Sequence, residues 1–161
     1  MNLKQLQEAA YANIKAKGFR DNPRTVAEDN MLIRSELAEA FEAYRDGDVA
    51  FVLRDGKPEG ILAELADVVI RCAETAEHHG MDLSKPVTCE PAPYGLVEIL
   101  EAANNCLAHD HISEHALARI VRLMISAAED LGHFGHDLFP AIEAKMAYNA
   151  TRPRMHGGKR L

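Results

Sequence analysis

The sequence predicts an all-α protein, a helical bundle of about six helices that includes two tandem helical hairpins. Three observations carry this. Apolar residues recur at three- and four-residue spacing through long segments rich in Ala, Leu, Glu, Ile and Arg, the period of a helix with one buried face. Alternation of apolar and polar residues never persists, so no strand is predicted. The chain also repeats part of itself at an offset of 55 residues.

The elements follow in order. Leu3, Leu6, Ala10 and Ile14 share a face of a first helix running to about Lys17, which Gly18 ends. Thr25 and Glu28 have the spacing of a capping box and open a second helix, which reaches about Arg45 before Asp46-Gly47-Asp48 breaks it. Residues 49–58 read as a loop, with Asp55-Gly56-Lys57-Pro58 as its turn. A third helix covers about Glu59 to His79 and stops at Gly80. Pro86, Pro91, Pro93 and Gly95 make 81–95 a linker. Further helices are predicted over about Leu96–Ala108, Ser113–Phe134 and Phe139–Asn149, with Pro140 suited to a first turn.

Length and charge bound what this fold can do. The chain has 161 residues, 25 Asp plus Glu, 18 Lys plus Arg and a formal net charge of −7. One domain is expected, able to bury about 70% of the unfolded chain's surface. The acid excess argues against a partner such as a nucleic-acid polymer, which needs a basic face. No apolar run approaches a bilayer span, so no membrane partner is expected. Cys72, Cys89 and Cys106 lack CxxC spacing and read as reduced thiols of a cytoplasmic protein.

The repeat aligns Ala63-Glu64-Leu65-Ala66-Asp67, Ala73-Glu74, His78, Gly80 and Asp82-Leu83 with Ala118-Arg119-Ile120-Val121-Arg122, Ala128-Glu129, His133, Gly135 and Asp137-Leu138. Upstream, Ser35–Ala40 aligns with Val97–Ala102 once the loop is shortened. Residues 25–83 and 95–138 thus read as duplicated hairpins, followed by a C-terminal helix and tail over 139–161.

Placement singles out four acids. On a helical wheel Glu36 lies between Leu32 and Ala40, in the centre of the apolar stripe, with Glu39 at its edge. Glu64 sits between Ile61 and Val68, with Asp67 one turn away. Ionised carboxylates enter a core when they are paired or hold a metal. Two such pairs facing each other offer oxygen ligands to Mg²⁺, or to Mn²⁺ in its place. Pairing with Arg34 or Arg71 is the structural alternative. In the second hairpin Glu98 and Glu101 persist, but Arg119 and Arg122 replace the other two acids, leaving the quartet in the first hairpin only.

Net charge hides a division. Residues 1–144 carry 25 acids and 13 bases, whereas residues 145–161 carry five bases and no acid. In that tail Lys145, Asn149, Arg152, His156 and Lys159 form a series with Gly157-Gly158. Ammonium, guanidinium, amide, imidazole and backbone N–H groups are what a polyphosphate needs around its oxygens.

Taken together, Glu36-x-x-Glu39, Glu64-x-x-Asp67 after 24 residues, and the ending Asn149-x-x-Arg152-Pro153-x-x-His156-Gly157-Gly158-Lys159 resemble the MazG-like, all-α nucleoside triphosphate pyrophosphohydrolases, relatives of the dimeric dUTPases. The likeness covers about residues 25–83 and 138–161. Ser35 stands where the family's EExxE motif has its first Glu; Glu42, one turn past Glu39, is the available substitute. The resemblance implies hydrolysis of a (d)NTP substrate to monophosphate and pyrophosphate by water. It implies Mg²⁺ held by Glu36, Glu39, Glu64 and Asp67, with Glu39 or Glu36 orienting or deprotonating the water. Lys145, Asn149, Arg152 and Lys159 would hold the phosphates, and His156 would join them or shape the tail.

Among aromatic residues, Tyr11, Phe19, Phe41, Tyr44 and Tyr148 are the candidates to stack on a base. The duplication suggests that one chain does what a dimer does elsewhere, and a homo-oligomer stays open. Other chemistries fit less well. A di-iron bundle needs Glu-x-x-His, which is absent. His109, His111 and His115 span a loop and a helix start, and there is no HExxH. The alternative in another class is a non-catalytic nucleotide sensor on the same bundle.

Overall fold

The computed structural model describes residues 1–86, 88, 90–107, 111–132 and 138–158. Cys89, His109, the repeat residues His133, Gly135 and Asp137, and the phosphate candidate Lys159 lie outside these.

Seven helices and one small hairpin make up the described chain. α1 spans Leu3–Ala16, opened by a capping box in which the Asn2 side chain accepts from the backbone N–H of Gln5. Asn2 and Gln5 therefore do what Thr25 and Glu28 do for α2, Val26–Arg45. α3 covers Ile61–His78, α4 Leu96–Asn105 and α5 Glu114–Asp130. α6 is Leu138–Thr151, ending one residue before the Arg152-Pro153 step that disfavours helix. A single turn, α7 (Met155–Gly158), follows. α5 ends at Asp130, where Gly132, at φ 80°, takes the left-handed conformation that closes helices; Phe134, the end expected from the sequence, lies outside the described residues.

One expectation is corrected. Residues 49–58 are not wholly loop: β1 (Val52–Arg54) and β2 (Lys57–Glu59) pair antiparallel, Val52 opposite Glu59 and Arg54 opposite Lys57. Asp55 and Gly56 both have positive φ, 51° and 78°, as a tight hairpin turn requires. Three-residue strands are too short to show alternation, so only the Asp-Gly dipeptide could have signalled them.

The hairpin delivers the chain to α3 through Gly60, at φ 91°. A Cβ there would lie 1.8 Å from the Ala50 carbonyl oxygen, so no side chain fits without moving the backbone. Gly60→Ala is expected to cost more than about 1 kcal/mol, read as a lower denaturant midpoint.

α3 is the hub of the bundle. α1, α2, α5 and α6 all pack on it, while α4 packs on α5 and α2. Ile61, Leu65, Val68 and Val69 of α3 meet Ile33 and Leu37 of α2, Leu6 of α1 and Ile120 and Met124 of α5 in one core. Cys72 is buried in that core, which pushes its thiol pKa up. No helix among the described residues is long and apolar enough to cross a membrane.

Candidate functional site

A helix that is apolar nearly all round still carries one polar stripe. On α3, Glu64, Asp67, Arg71 and Glu74 recur at three- and four-residue spacing and so share a face. Glu36 projects from the neighbouring α2 toward this stripe, and Lys145 approaches from α6.

Glu36, Glu64 and Asp67 each offer a carboxylate oxygen within 4.8 Å of the others, and all three are half-buried. Glu39 stands apart at the exposed rim of the same cleft. The cleft measures about 280 Å³. Around it lie eight of the nine residues singled out from the sequence: Glu36, Glu39, Glu64, Asp67, Lys145, Asn149, Arg152 and His156. The structure therefore brings together acids from two helices and bases from a segment about eighty residues distant.

The Lys145 ammonium is the cation the carboxylates already hold. Its Nζ donates to Asp67 Oδ2 at 2.6 Å and to Glu64 Oε1 at 3.5 Å, with the side chain only 6% exposed. Burial alone would lower the Lys145 pKa, but attraction to Asp67 and Glu64 outweighs it and raises it. Burial raises the pKa of Glu64 and Asp67 despite Lys145; Asp67 and Glu39 push Glu64 the same way, and Glu36 does so for Asp67. The expected pairing of an acid with Arg71 is present, since Arg71 donates to Glu36 Oε1 at 2.9 Å. Arg34 turns away, to Asn104 and the Leu107 carbonyl.

Arg71 links the cleft to a buried ionic network that the sequence did not disclose. It also meets Glu74 at 3.2 Å, and Glu74 takes Arg20 at 2.8 Å and Arg24 at 3.2 Å. Asp29, fully buried, lies 3.2 Å from Arg20 and 3.2 Å from His79 Nε2. Burial opposes the Glu74 carboxylate, yet Arg71, Arg24 and Arg20 together hold its pKa below the usual range. The one available signal was Glu74 itself, seven residues after Asp67 on the same α3 face.

The tail forms the opposite wall. The Lys17 ammonium donates to the carbonyls of Ala150 (2.7 Å) and Arg152, and the Met155 N–H donates to the Lys17 carbonyl at 2.9 Å. His156 then stacks edge-on against Phe19, ring centroids 4.9 Å apart. Gly157-Gly158 is thus part of a turn anchored on α1 and its C-terminal loop rather than a free run of amides. Of the aromatic candidates Phe19 and Tyr148 line the cleft. Tyr11 instead meets His78, Phe41 lies beneath Arg45, and Tyr44 is exposed. Lys57, brought in by the unforeseen hairpin, and Ile14 complete the lining that the sequence reading missed.

The second hairpin builds no matching acid cluster among the described residues. Glu98 and Glu101 are exposed, and no ion pair joins either to Arg119 or Arg122. No protein-family model, characterised protein or solved structure matches this chain.

Proposed function

We propose that the cleft hydrolyses (deoxy)nucleoside triphosphates to monophosphate and pyrophosphate with a divalent metal, in the cytoplasm. One observation carries the reading: Glu36, Glu64 and Asp67 converge within 4.8 Å in one small cleft that Lys145, Asn149, Arg152 and His156 also line. A cluster of acids alone would bind only a cation, and a cluster of bases only an anion. A metal–triphosphate complex needs both.

The donor set fits Mg²⁺ or Mn²⁺. All three clustered donors are carboxylate oxygens, which hard divalent ions prefer, and a buried cation, the Lys145 ammonium, already rests on two of them. When bound, the metal would neutralise phosphate charge and make a coordinated water more acidic. Glu36, Glu64 and Asp67 would hold it, with Glu39 adjoining at the rim.

The remaining roles follow from how each side chain is tied. Glu36 is held by Arg71, whereas Glu39 forms no hydrogen bond or ion pair among the described residues. Glu39 is therefore the better placed to orient the attacking water and accept its proton. Lys145 would exchange its contact with Asp67 for a phosphate oxygen. Arg152, Asn149 and His156 would hold the rest of the triphosphate and stabilise charge on the departing pyrophosphate. Phe19 and Tyr148 offer apolar surface for the nucleoside.

A panel of canonical and modified (d)NTPs, incubated with Mg²⁺ or Mn²⁺ and resolved by ion-exchange chromatography, tests the reading. Monophosphate is the expected product. Saturable binding without turnover would instead identify a nucleotide sensor.

A further inference from the structure

The 55-residue repeat has a structural consequence outside the cleft just described. Glu64, Asp67 and Arg71 line that cleft from α3, and the corresponding positions on α5 are Arg119, Arg122 and Ser126. Those three residues also line a cleft, of about 220 Å³, closed by Glu90, Pro91 and Ala92 from the linker. The two clefts share no lining residue. The same helix register thus faces an opening in each half, and its charge is inverted: two carboxylates in one, two guanidinium groups in the other.

Both arginines are uncommitted. Neither Arg119 nor Arg122 forms a hydrogen bond or ion pair among the described residues, although Glu90 lines the same opening. The Nε of Arg119 is buried and has no acceptor. A buried donor without a partner is costly, and guanidinium is the donor suited to bidentate contact with a planar or tetrahedral oxyanion. Two guanidinium groups on residues one helical turn apart, with a hydroxyl a further turn on, line one opening and supply donors that suit a phosphate group. The single carboxylate of Glu90 leaves the opening net positive.

We propose that this second cleft is a metal-independent binding site for a phosphate-class oxyanion, free or carried on a nucleotide. It rests on the geometry of α5 and not on turnover at the acidic cleft.

The side-chain Nε–H resonance of Arg119, assigned by its loss in Arg119→Gln, reports binding directly in ¹H–¹⁵N spectra. The full chain, in EDTA so that no divalent metal contributes, is titrated separately with inorganic phosphate, pyrophosphate and a nucleoside monophosphate. The resonance is expected to shift saturably, and Arg122→Gln is expected to weaken the response at least about tenfold, the worth of one strong charge-assisted contact. A charge-matched Arg45→Gln variant should titrate like the wild type. Saturation by phosphate or pyrophosphate identifies a free anion as ligand, and saturation by the nucleotide alone identifies a nucleotide phosphate. A resonance that does not move with any of the three, moves without saturating, or responds equally in Arg122→Gln overturns the proposal.

Discussion

Glu64→Gln should abolish turnover and leave the fold at least as stable as before. Glu64 is a half-buried carboxylate whose ionised form is disfavoured by burial and by its neighbours Asp67 and Glu39, against the attraction of Lys145. An amide of the same shape removes that desolvation cost and removes the proposed metal ligand together. Glu39→Gln acts differently, because Glu39 is exposed and tied to nothing among the described residues. As the proposed base it should lower kcat by about 10²–10⁴-fold. Steady-state kinetics alongside thermal melts separate the cases. Lost turnover with an unchanged or raised Tm is the signature of a functional acid placed against stability. Full activity in both variants would show that these acids are not the site.

Glu74→Gln should do the opposite and act first on stability. Its carboxylate, 2% exposed, faces Arg20, Arg24 and Arg71, so neutralising it leaves Arg20 and Arg24, nearly as deeply buried, to share Asp29 alone, and Arg71 with Glu36 only. Removing one member of a buried ionic set costs about 3–5 kcal/mol, which in a chain of this size lowers Tm by on the order of 10 °C. The effect depends on pH with a definite sign. The folded-state pKa of Glu74 is depressed, so its stabilisation is fully present above the ordinary carboxylate range and is lost as pH falls through the lower folded value. Denaturant melts of wild type and Glu74→Gln should therefore differ most near neutrality and converge in acid. Activity should fall as well, because Arg71 loses one of the two carboxylates that fix it and with it the orientation of Glu36.

What could be read from the sequence divides along physical lines. Helices were legible because periodicity over many residues is a strong local signal, and the Thr25–Glu28 box and Gly132 show how local chemistry sets their ends. The β-hairpin was not, because its strands are shorter than the pattern that defines a strand. Among site residues, Glu36 and Glu64 stood out as acids inside apolar stripes. Lys145 and Asn149 stood out as an i, i+4 pair before a Pro. What could not be read was which charge meets which. Lys145 pairs with Asp67 across 78 residues and Lys17 caps the end of α6 across 133, and such contacts are set by packing onto α3. Arg20 and Arg24 sit in an ordinary-looking polar turn, and only the fold reveals that the turn is buried against Glu74.

In the proposed reaction, acids on α2 and α3 and bases on α6 and the tail act together on one metal–triphosphate complex. Phosphorus NMR of a deoxynucleoside triphosphate incubated with the protein tests it most directly, with Mg²⁺ or with EDTA, for wild type and for Glu64→Gln. Stoichiometric monophosphate and pyrophosphate are expected from wild type with Mg²⁺, and unchanged triphosphate in the other three samples. Orthophosphate with a diphosphate, or turnover that persists in EDTA or in Glu64→Gln, would contradict it.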